Sequence, residues 1–174
     1  MARNLMINLP LETDRLIIRH FIDSDLEFFL SFMLNEESTK YLMFSAEQKT
    51  QSGAQYLFNF VCNSYNTENP IYSFAIADKK SNRYLGSCGF APYDKGIYEI
   101  YYSINSSEEG NGLATEAIKA IVVPLAQKVE VRAYCHPQNN SAHNVALKSG
   151  FVFKNLATHK NFGNEGYLFI YQVT

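Results

Sequence analysis

The stretch Glu99-Ile100-Tyr101-Tyr102-Ser103-Ile104, with the later run Glu109-Gly110-Asn111-Gly112-Leu113-Ala114, decides the fold of this chain. In the first run Tyr98, Ile100, Tyr102 and Ile104 alternate with Glu99, Tyr101 and Ser103, the period of a β-strand. After a break at Asn105-Ser106-Ser107, Leu113, Ala117, Ile118, Ile121 and Val122 recur at helical spacing. Gly110 and Gly112 therefore sit in a strand-to-helix turn, where backbone N–H groups can converge on one point. The helix start adds its unpaired N–H groups and the positive end of its dipole. Such a turn is an anion site suited to phosphate.

Working outward, Val129, Val131, Ala133 and Cys135 alternate along a further strand, which His136-Pro137 closes because a residue before proline is pushed away from helical geometry. Upstream, strands at about 71–77, 84–91 and 97–104 are joined by the short turns Asp78–Asn82 and Pro92–Gly96, which predicts antiparallel hairpins. Nearer the start, Leu16–Arg19 reads as a strand, and Asp23 or Ser24 caps a helix with the stripe Leu26, Phe29, Leu30, Met33 and Leu34. Ser45 and Gln48 read as the capping box of a second helix that buries Ala54, Leu57, Phe58 and Val61. Pro124 is expected to bend or end the helix after the glycine loop unless it begins a new turn. A short helix over 139–149 stops at Gly150, and strands at 151–158 and 167–173 complete the chain. This order predicts one α/β domain over residues 1–174: a mixed, mostly antiparallel sheet with helices on both faces. The strands on either side of the glycine-loop helix should be parallel and joined by a right-handed crossover.

Composition narrows the function classes. Of 174 residues 47 % are apolar and 18 % charged, which suits a globular domain able to bury a core. A net charge of −2 offers no electrostatic reason for nucleic acid, and no apolar run is long enough for a membrane span. Asn4, Asn8 and Pro10 interrupt the stretch where a signal peptide would need apolar residues, so cytoplasmic placement is expected. Cys62, Cys88 and Cys135 are odd in number and far apart, implying neither a disulfide framework nor a zinc knuckle. No metal is expected, since His20, His136, His143 and His159 lack ligand spacing; they read as surface or hydrogen-bonded histidines.

Several of these pieces, in this order, resemble the GNAT superfamily of acetyl-CoA-dependent N-acetyltransferases, especially its RimJ/RimL-like branch. The matching runs are Glu12-Thr13-Asp14-Arg15-Leu16-Ile17-Ile18-Arg19, the strand from Glu99 to Ile104, and the glycine loop through Ala114-Thr115-Glu116-Ala117. Asn139 and Lys148-Ser149-Gly150-Phe151 follow. The resemblance implies a sheet split between its two central parallel strands, with acetyl-CoA as co-substrate in the gap. Glu109, Gly110, Asn111, Gly112, Leu113, Ala114 and Thr115 would hold the pyrophosphate. Backbone groups of Tyr102, Ser103 and Ile104 would pair with the pantetheine arm, and Asn139 would bond it at the mouth. Glu99 would take the proton of the acceptor amine, and a strand N–H around Tyr101–Tyr102 would polarise the thioester carbonyl. Tyr41, Phe44 and Tyr134 are candidates to line the acceptor pocket, although core packing is the commoner use of such rings.

Three positions depart from the family. Glu109 replaces a frequent Gln or Arg, and its carboxylate is expected to turn to solvent, away from the phosphates. Ala146 stands where many relatives carry the tyrosine that protonates the thiolate, and Ala142 stands where RimL-like members carry serine, leaving the adjacent Ser141 as the remaining candidate acid. The leading acceptor is a protein N-terminal amine, followed by a small amine such as a polyamine or aminoglycoside. The chain would act as a monomer or homodimer. Two rival readings are a CoA-binding protein without catalysis and a dinucleotide-binding protein. Gly110, Gly112, Ala114 and Glu130 partly mimic the dinucleotide fingerprint, which belongs after the first strand of a βαβ unit rather than after hairpins.

Overall fold

A computed structural model describes residues 6–174; Asn4, used above in reading the N-terminus, lies outside the described residues. The elements are β1 (Leu11–Glu12), β2 (Leu16–Arg19), α1 (Leu26–Met33), α2 (Glu36–Thr39), α3 (Gln51–Ser64), β3 (Ser73–Asp78), β4 (Tyr84–Asp94), β5 (Ile97–Ile104), α4 (Leu113–Ala126), β6 (Glu130–Cys135), α5 (Asn140–Lys148), β7 (Phe151–Thr158) and β8 (Glu165–Tyr171). The strands form one sheet in the order β1-β2-β3-β4-β5-β6-β8-β7. Only β5 and β6 run parallel, as expected for strands joined through the α4 crossover. Among the described residues no helix is long and apolar enough to cross a membrane.

Alternation along the strands divides the apolar residues between two cores. On one face Leu16, Ile18, Phe74, Ile76, Ile100, Val131 and Phe169 meet the stripe of α4. On the other, Ala75 and Tyr84 meet Phe29, Phe32 and Met33 of α1 and Ala54, Phe58 and Val61 of α3. A buried ion pair fixes the turn into α1. Arg19 donates from both terminal nitrogens to Asp25 at 2.7 and 3.0 Å, and Asp25 also accepts from the Ile22 backbone N–H. Asp25 therefore braces this turn, in a short 3₁₀ segment over Asp23–Asp25, and neither Asp23 nor Ser24 caps α1. Leu34, counted in the stripe of α1, is exposed because the helix ends at Met33; Phe32 takes its place in the core.

Two further local expectations are corrected. The Ser45–Gln48 box does form, with reciprocal bonds of 2.9 and 3.2 Å, but it closes a turn. The helix begins at Gln51, capped by the Thr50 hydroxyl on the Gly53 N–H. Pro124 does not end α4 where it stands; the helix continues to Ala126. Proline there removes only one late intrahelical bond, while Val122 and Leu125 on either side are fully buried and hold the last turn on the sheet.

The α4 stripe anchors the glycine loop, since Ile118, Ile121, Val122 and Leu125 are all 0 % exposed. Ile121→Ala should lose about 2–5 kcal/mol of unfolding free energy, measured by urea denaturation. A loss below about 1 kcal/mol would mean the helix is not held by this contact.

Candidate active site

The parallel pairing of β5 with β6 covers only Ile97–Glu99 against Glu130–Arg132. Beyond it, β6 continues beside β8 to Cys135 while β5 continues beside β4 to Ile104, so a gap opens between them. The ladders show which backbone groups face that gap. Asn105 N–H donates to Leu85 O, opposite it in the antiparallel register, so Ser103 and Tyr101 also exchange their bonds with β4. Glu130 N–H donates to Gly96 O, which puts the even-numbered residues of β5 on the other side. Tyr102 and Ile104 therefore present their N–H and C=O groups to the gap. Of the two amides offered for carbonyl polarisation, that of Tyr101 is spent on β4, and that of Tyr102 remains. The Tyr101 hydroxyl is packed against Gly89, and local burial there raises its pKa although the residue as a whole is partly exposed.

The gap widens into a cleft of about 550 Å³. It is lined by Tyr102, Ser103, Ile104, Glu109, Gly110, Gly112, Leu113, Ala114, Thr115, Asn139 and Ser141, with Tyr41 from the α2–α3 connection. Lys40 and Lys148 also border it. Asn111 does not line it: its side chain donates to Glu108 O within the loop, and its carbonyl accepts from Arg15. Gly110 and Gly112 have φ of 81° and 75°, the left-handed region that side chains resist. A Cβ on Gly112 would meet only Arg15, at 3.6 Å, so backbone conformation rather than crowding requires glycine here. The first intrahelical bond of α4 is Glu116 N–H to Gly112 O, which leaves the N–H groups of Leu113, Ala114 and Thr115 without helical partners. Glu109 is exposed, its carboxylate free to face solvent.

Glu116 ties this loop to the N-terminal strands. Its carboxylate accepts from the Thr13 hydroxyl at 2.6 Å, from the Arg15 backbone N–H at 2.9 Å and from Arg15 Nε at 2.7 Å. Arg15 Nη1 then reaches Asn111 O at 2.9 Å. Burial pushes the Glu116 pKa up, but the bonds from Thr13 and Arg15 outweigh it and hold the group below its ordinary value.

At the closed end of the gap, Glu99 Oε2 lies 2.6 Å from His159 Nε2. His159 opens the β7–β8 loop, is 3 % exposed, and is ringed by Tyr93, Tyr134 and Phe162. Burial raises the Glu99 pKa, and the His159 bond opposes that rise. Glu99, His159, Tyr134 and Cys135 border a small cavity of about 50 Å³, completed by Tyr41, Met43, His136 and Phe162 among others. Tyr41 lies on both cleft and cavity, stacked on His136 at 4.9 Å, and so marks where they meet. Phe44 lines neither; it packs against the core that α1 and α3 share, where an apolar ring is removed from water. Cys135 is buried, which pushes its thiol up to about 11, too high for a thiolate at neutral pH. Asn139 caps α5 through the Ala142 N–H at 3.1 Å while lining the cleft. His159 was not singled out from sequence, because its partner is 60 residues away and only strand order brings the two together.

The acetyltransferase (GNAT) domain family matches residues 15–152 of the chain. A ribosomal-protein-serine acetyltransferase of Escherichia coli (strain K12) is 31 % identical over 72 residues, 40 % of this chain and 40 % of that protein. The match thus spans less than half the length of that curated relative. Among solved structures, an acetyltransferase of the GNAT family from Bacillus anthracis superposes with a TM-score of 0.76 at 21 % identity, covering 93 % of this chain and 97 % of that one. RimL, a ribosomal L7/L12 alpha-N-protein acetyltransferase in complex with coenzyme A, superposes with a TM-score of 0.72 at 13 % identity, covering 91 % and 94 %. At such identities the two structures share the fold with this chain.

The Glu116 clamp has a defined pH signature. A carboxylate whose folded pKa is depressed stabilises above its unfolded pKa, near 4.3, and loses that contribution as pH falls through the folded value. Glu116→Ala should therefore melt at a lower temperature than the parent at pH 7, and the difference should shrink in acid. A difference that is constant with pH would assign the effect to packing rather than to the charged bonds.

Proposed function

Because the chain belongs to the GNAT acetyltransferase family, we propose that it moves acetyl from acetyl-CoA to a primary amine by direct attack, with a protein N-terminal amine as the leading acceptor. The observation that carries this reading is the split sheet with an anion-binding helix start at one end and a half-buried carboxylate at the other. The residues fit the co-substrate. Leu113, Ala114 and Thr115 offer free N–H groups to a pyrophosphate, and Lys40 and Lys148 add positive charge at the rim. Tyr102 and Ile104 offer strand-like donors and acceptors to the amides of a pantetheine arm. Acetyl-CoA, when bound, supplies the thioester as acyl donor.

The chain's own residues then have separable tasks. The Tyr102 N–H, facing the gap, donates to the developing negative charge on the carbonyl oxygen. Glu99 takes a proton from the incoming ammonium so that its lone pair can attack; the N–C bond forms, and the C–S bond breaks onto sulfur. Ser141 is the hydroxyl at the cleft nearest in kind to the acid that relatives carry; without it, solvent protonates the thiolate. The acceptor site is the small cavity walled by Tyr41, Tyr134 and Phe162, which admits an amine on a short group and suits a chain terminus better than a bulky ring. The similarity to a ribosomal-protein-serine acetyltransferase and to an alpha-N-protein acetyltransferase supports the same acceptor class. Screening peptides with free N-termini beside polyamines and aminoglycosides for acetyl-CoA-dependent thiol release tests the choice. Release with the small amines alone would overturn the peptide reading.

Gly112→Val should abolish the rise in melting temperature that acetyl-CoA gives the parent, because a β-branched residue resists φ near 75° and the loop must refold. A preserved shift would place the binding site elsewhere. Glu99→Gln should lower kcat by about 10²- to 10⁴-fold while leaving acetyl-CoA affinity intact, read by steady-state kinetics and calorimetry. A fall of less than about threefold would remove Glu99 as the base.

A further inference from the structure

The Glu99–His159 pair contains more information than a short contact. His159 Nδ1 lies 3.2 Å from the Asn161 N–H and 3.3 Å from the Phe162 N–H. A backbone N–H can only donate, so Nδ1 is the acceptor and carries no proton. The ring proton is therefore on Nε2, where it points at Glu99 Oε2, 2.6 Å away. The loop is built to keep it there. His159 N–H bonds Asn164 O at 2.8 Å, and Gly163 N–H bonds His159 O at 2.7 Å, so the β7–β8 turn closes around this residue. Tyr93, Tyr134 and Phe162 pack on the imidazole at centroid distances of 5.1, 4.8 and 4.8 Å.

We propose that His159 is a positioning residue for Glu99: a neutral imidazole, fixed in one tautomer, that donates to Oε2 and so aims the carboxylate into the acceptor cavity in its ionised form. This rests on the reading of Glu99 as the base. Among the described residues Oε1 takes no hydrogen bond, which leaves it for the incoming ammonium. The proton moves from the ammonium nitrogen to Oε1, and the Nε2–H proton stays where it is. A relay through the ring is closed, because protonating Nδ1 would break both bonds to the loop.

The groups facing the pair from each packed element are few. Tyr134 and Cys135 come from β6, Tyr93 from β4, Tyr41 from the α2–α3 connection, His136 from the end of β6 and Asn164 from the loop. The nearby cations are already engaged: Lys160 with Asp94 at 2.7 Å, and Arg132 with Glu130. His159 is thus the sole hydrogen-bond donor to Glu99 among the described residues.

The test follows the Glu99 carboxyl by its side-chain ¹³C NMR shift, identified by its disappearance in Glu99→Gln, beside the pH profile of kcat/KM with one acceptor throughout. In His159→Phe, which keeps a ring but has no donor, the Glu99 titration should move upward by about one pH unit or more, since a hydrogen bond to the charged form is lost. Turnover below neutral pH should fall with it, while acetyl-CoA affinity stays unchanged. His159→Gln, whose amide can still donate, should return the titration toward the parent value. ¹⁵N NMR of the parent needs no variant to fold and should show His159 as the neutral Nε2–H tautomer at pH 7. An Nδ1–H tautomer or an imidazolium there overturns the proposal, as does an unmoved Glu99 titration in folded His159→Phe. Failure of the underlying reading looks different: Glu99→Gln would then retain parental turnover whatever His159 does.

Discussion

Everything functional in this molecule depends on two parallel strands that stop bonding after three residues. β5 and β6 are paired from Ile97 to Glu99 and then part, each kept in the sheet by its other neighbour. An interior strand of a sheet is bonded on both sides, but here the antiparallel alternation on the β4 side determines that Tyr102 and Ile104 face an open edge. A buried open edge is costly unless something pairs with it. An extended, amide-bearing arm meets that need, which is why the same defect in the sheet serves as a binding cleft. Glu99 is the last paired residue of β5, so the carboxylate lies where the strands begin to separate, at the end of whatever the cleft holds.

The ends of the cleft are secured by contacts from distant parts of the chain. Glu116 gathers Thr13 and Arg15, and Arg15 in turn holds the Asn111 carbonyl, so the glycine loop is braced from the N-terminal strands. His159 does the equivalent for Glu99 from the β7–β8 loop. In both cases the partner sets the direction of a carboxylate through bonds of 2.6–2.9 Å, one behind the glycine loop and the other beside the small cavity. The opposing signs of their pKa shifts follow from their partners. Both are half-buried, but Glu116 accepts from Thr13 and twice from the cationic Arg15, which outweighs desolvation, whereas Glu99 has the imidazole alone, which does not.

Much of this was legible in the sequence where the information is local. The periodicities of β5 and α4, the hairpins, the glycine loop and the family resemblance placed the hairpin strands and the parallel pair, and of the loop positions expected from Glu109 to Thr115 all but Asn111 line the cleft. The pairing of Glu12–Arg19 with the run after the loop also has a physical basis, since both halves of the Glu116 clamp lie in them. What was not legible depended on competition or on distance. Ser45 and Gln48 satisfy the capping-box pattern yet close a turn, because Thr50, five residues after Ser45, caps the helix. Pro124 carries a helix-breaking preference that burial of Val122 and Leu125 overrides. Tyr101 and Tyr102 are equivalent as sequence, and only the register with β4 tells their amides apart. His159 has no local signature, and only the hairpin geometry of the last two strands delivers it to Glu99.

An unpaired strand edge has a signature that no ordinary packing arrangement would share. Amide hydrogen exchange followed with and without acetyl-CoA reads the open edge directly. Tyr102, Ile104, Leu113, Ala114 and Thr115 should be the amides that slow, because those are the donors left without protein partners, while Tyr101 and Ser103 should be slow already and change little. Protection that falls evenly along β5, or that leaves the residues at 102, 104 and 113–115 unchanged, would contradict the claim that the split between β5 and β6 is the binding cleft.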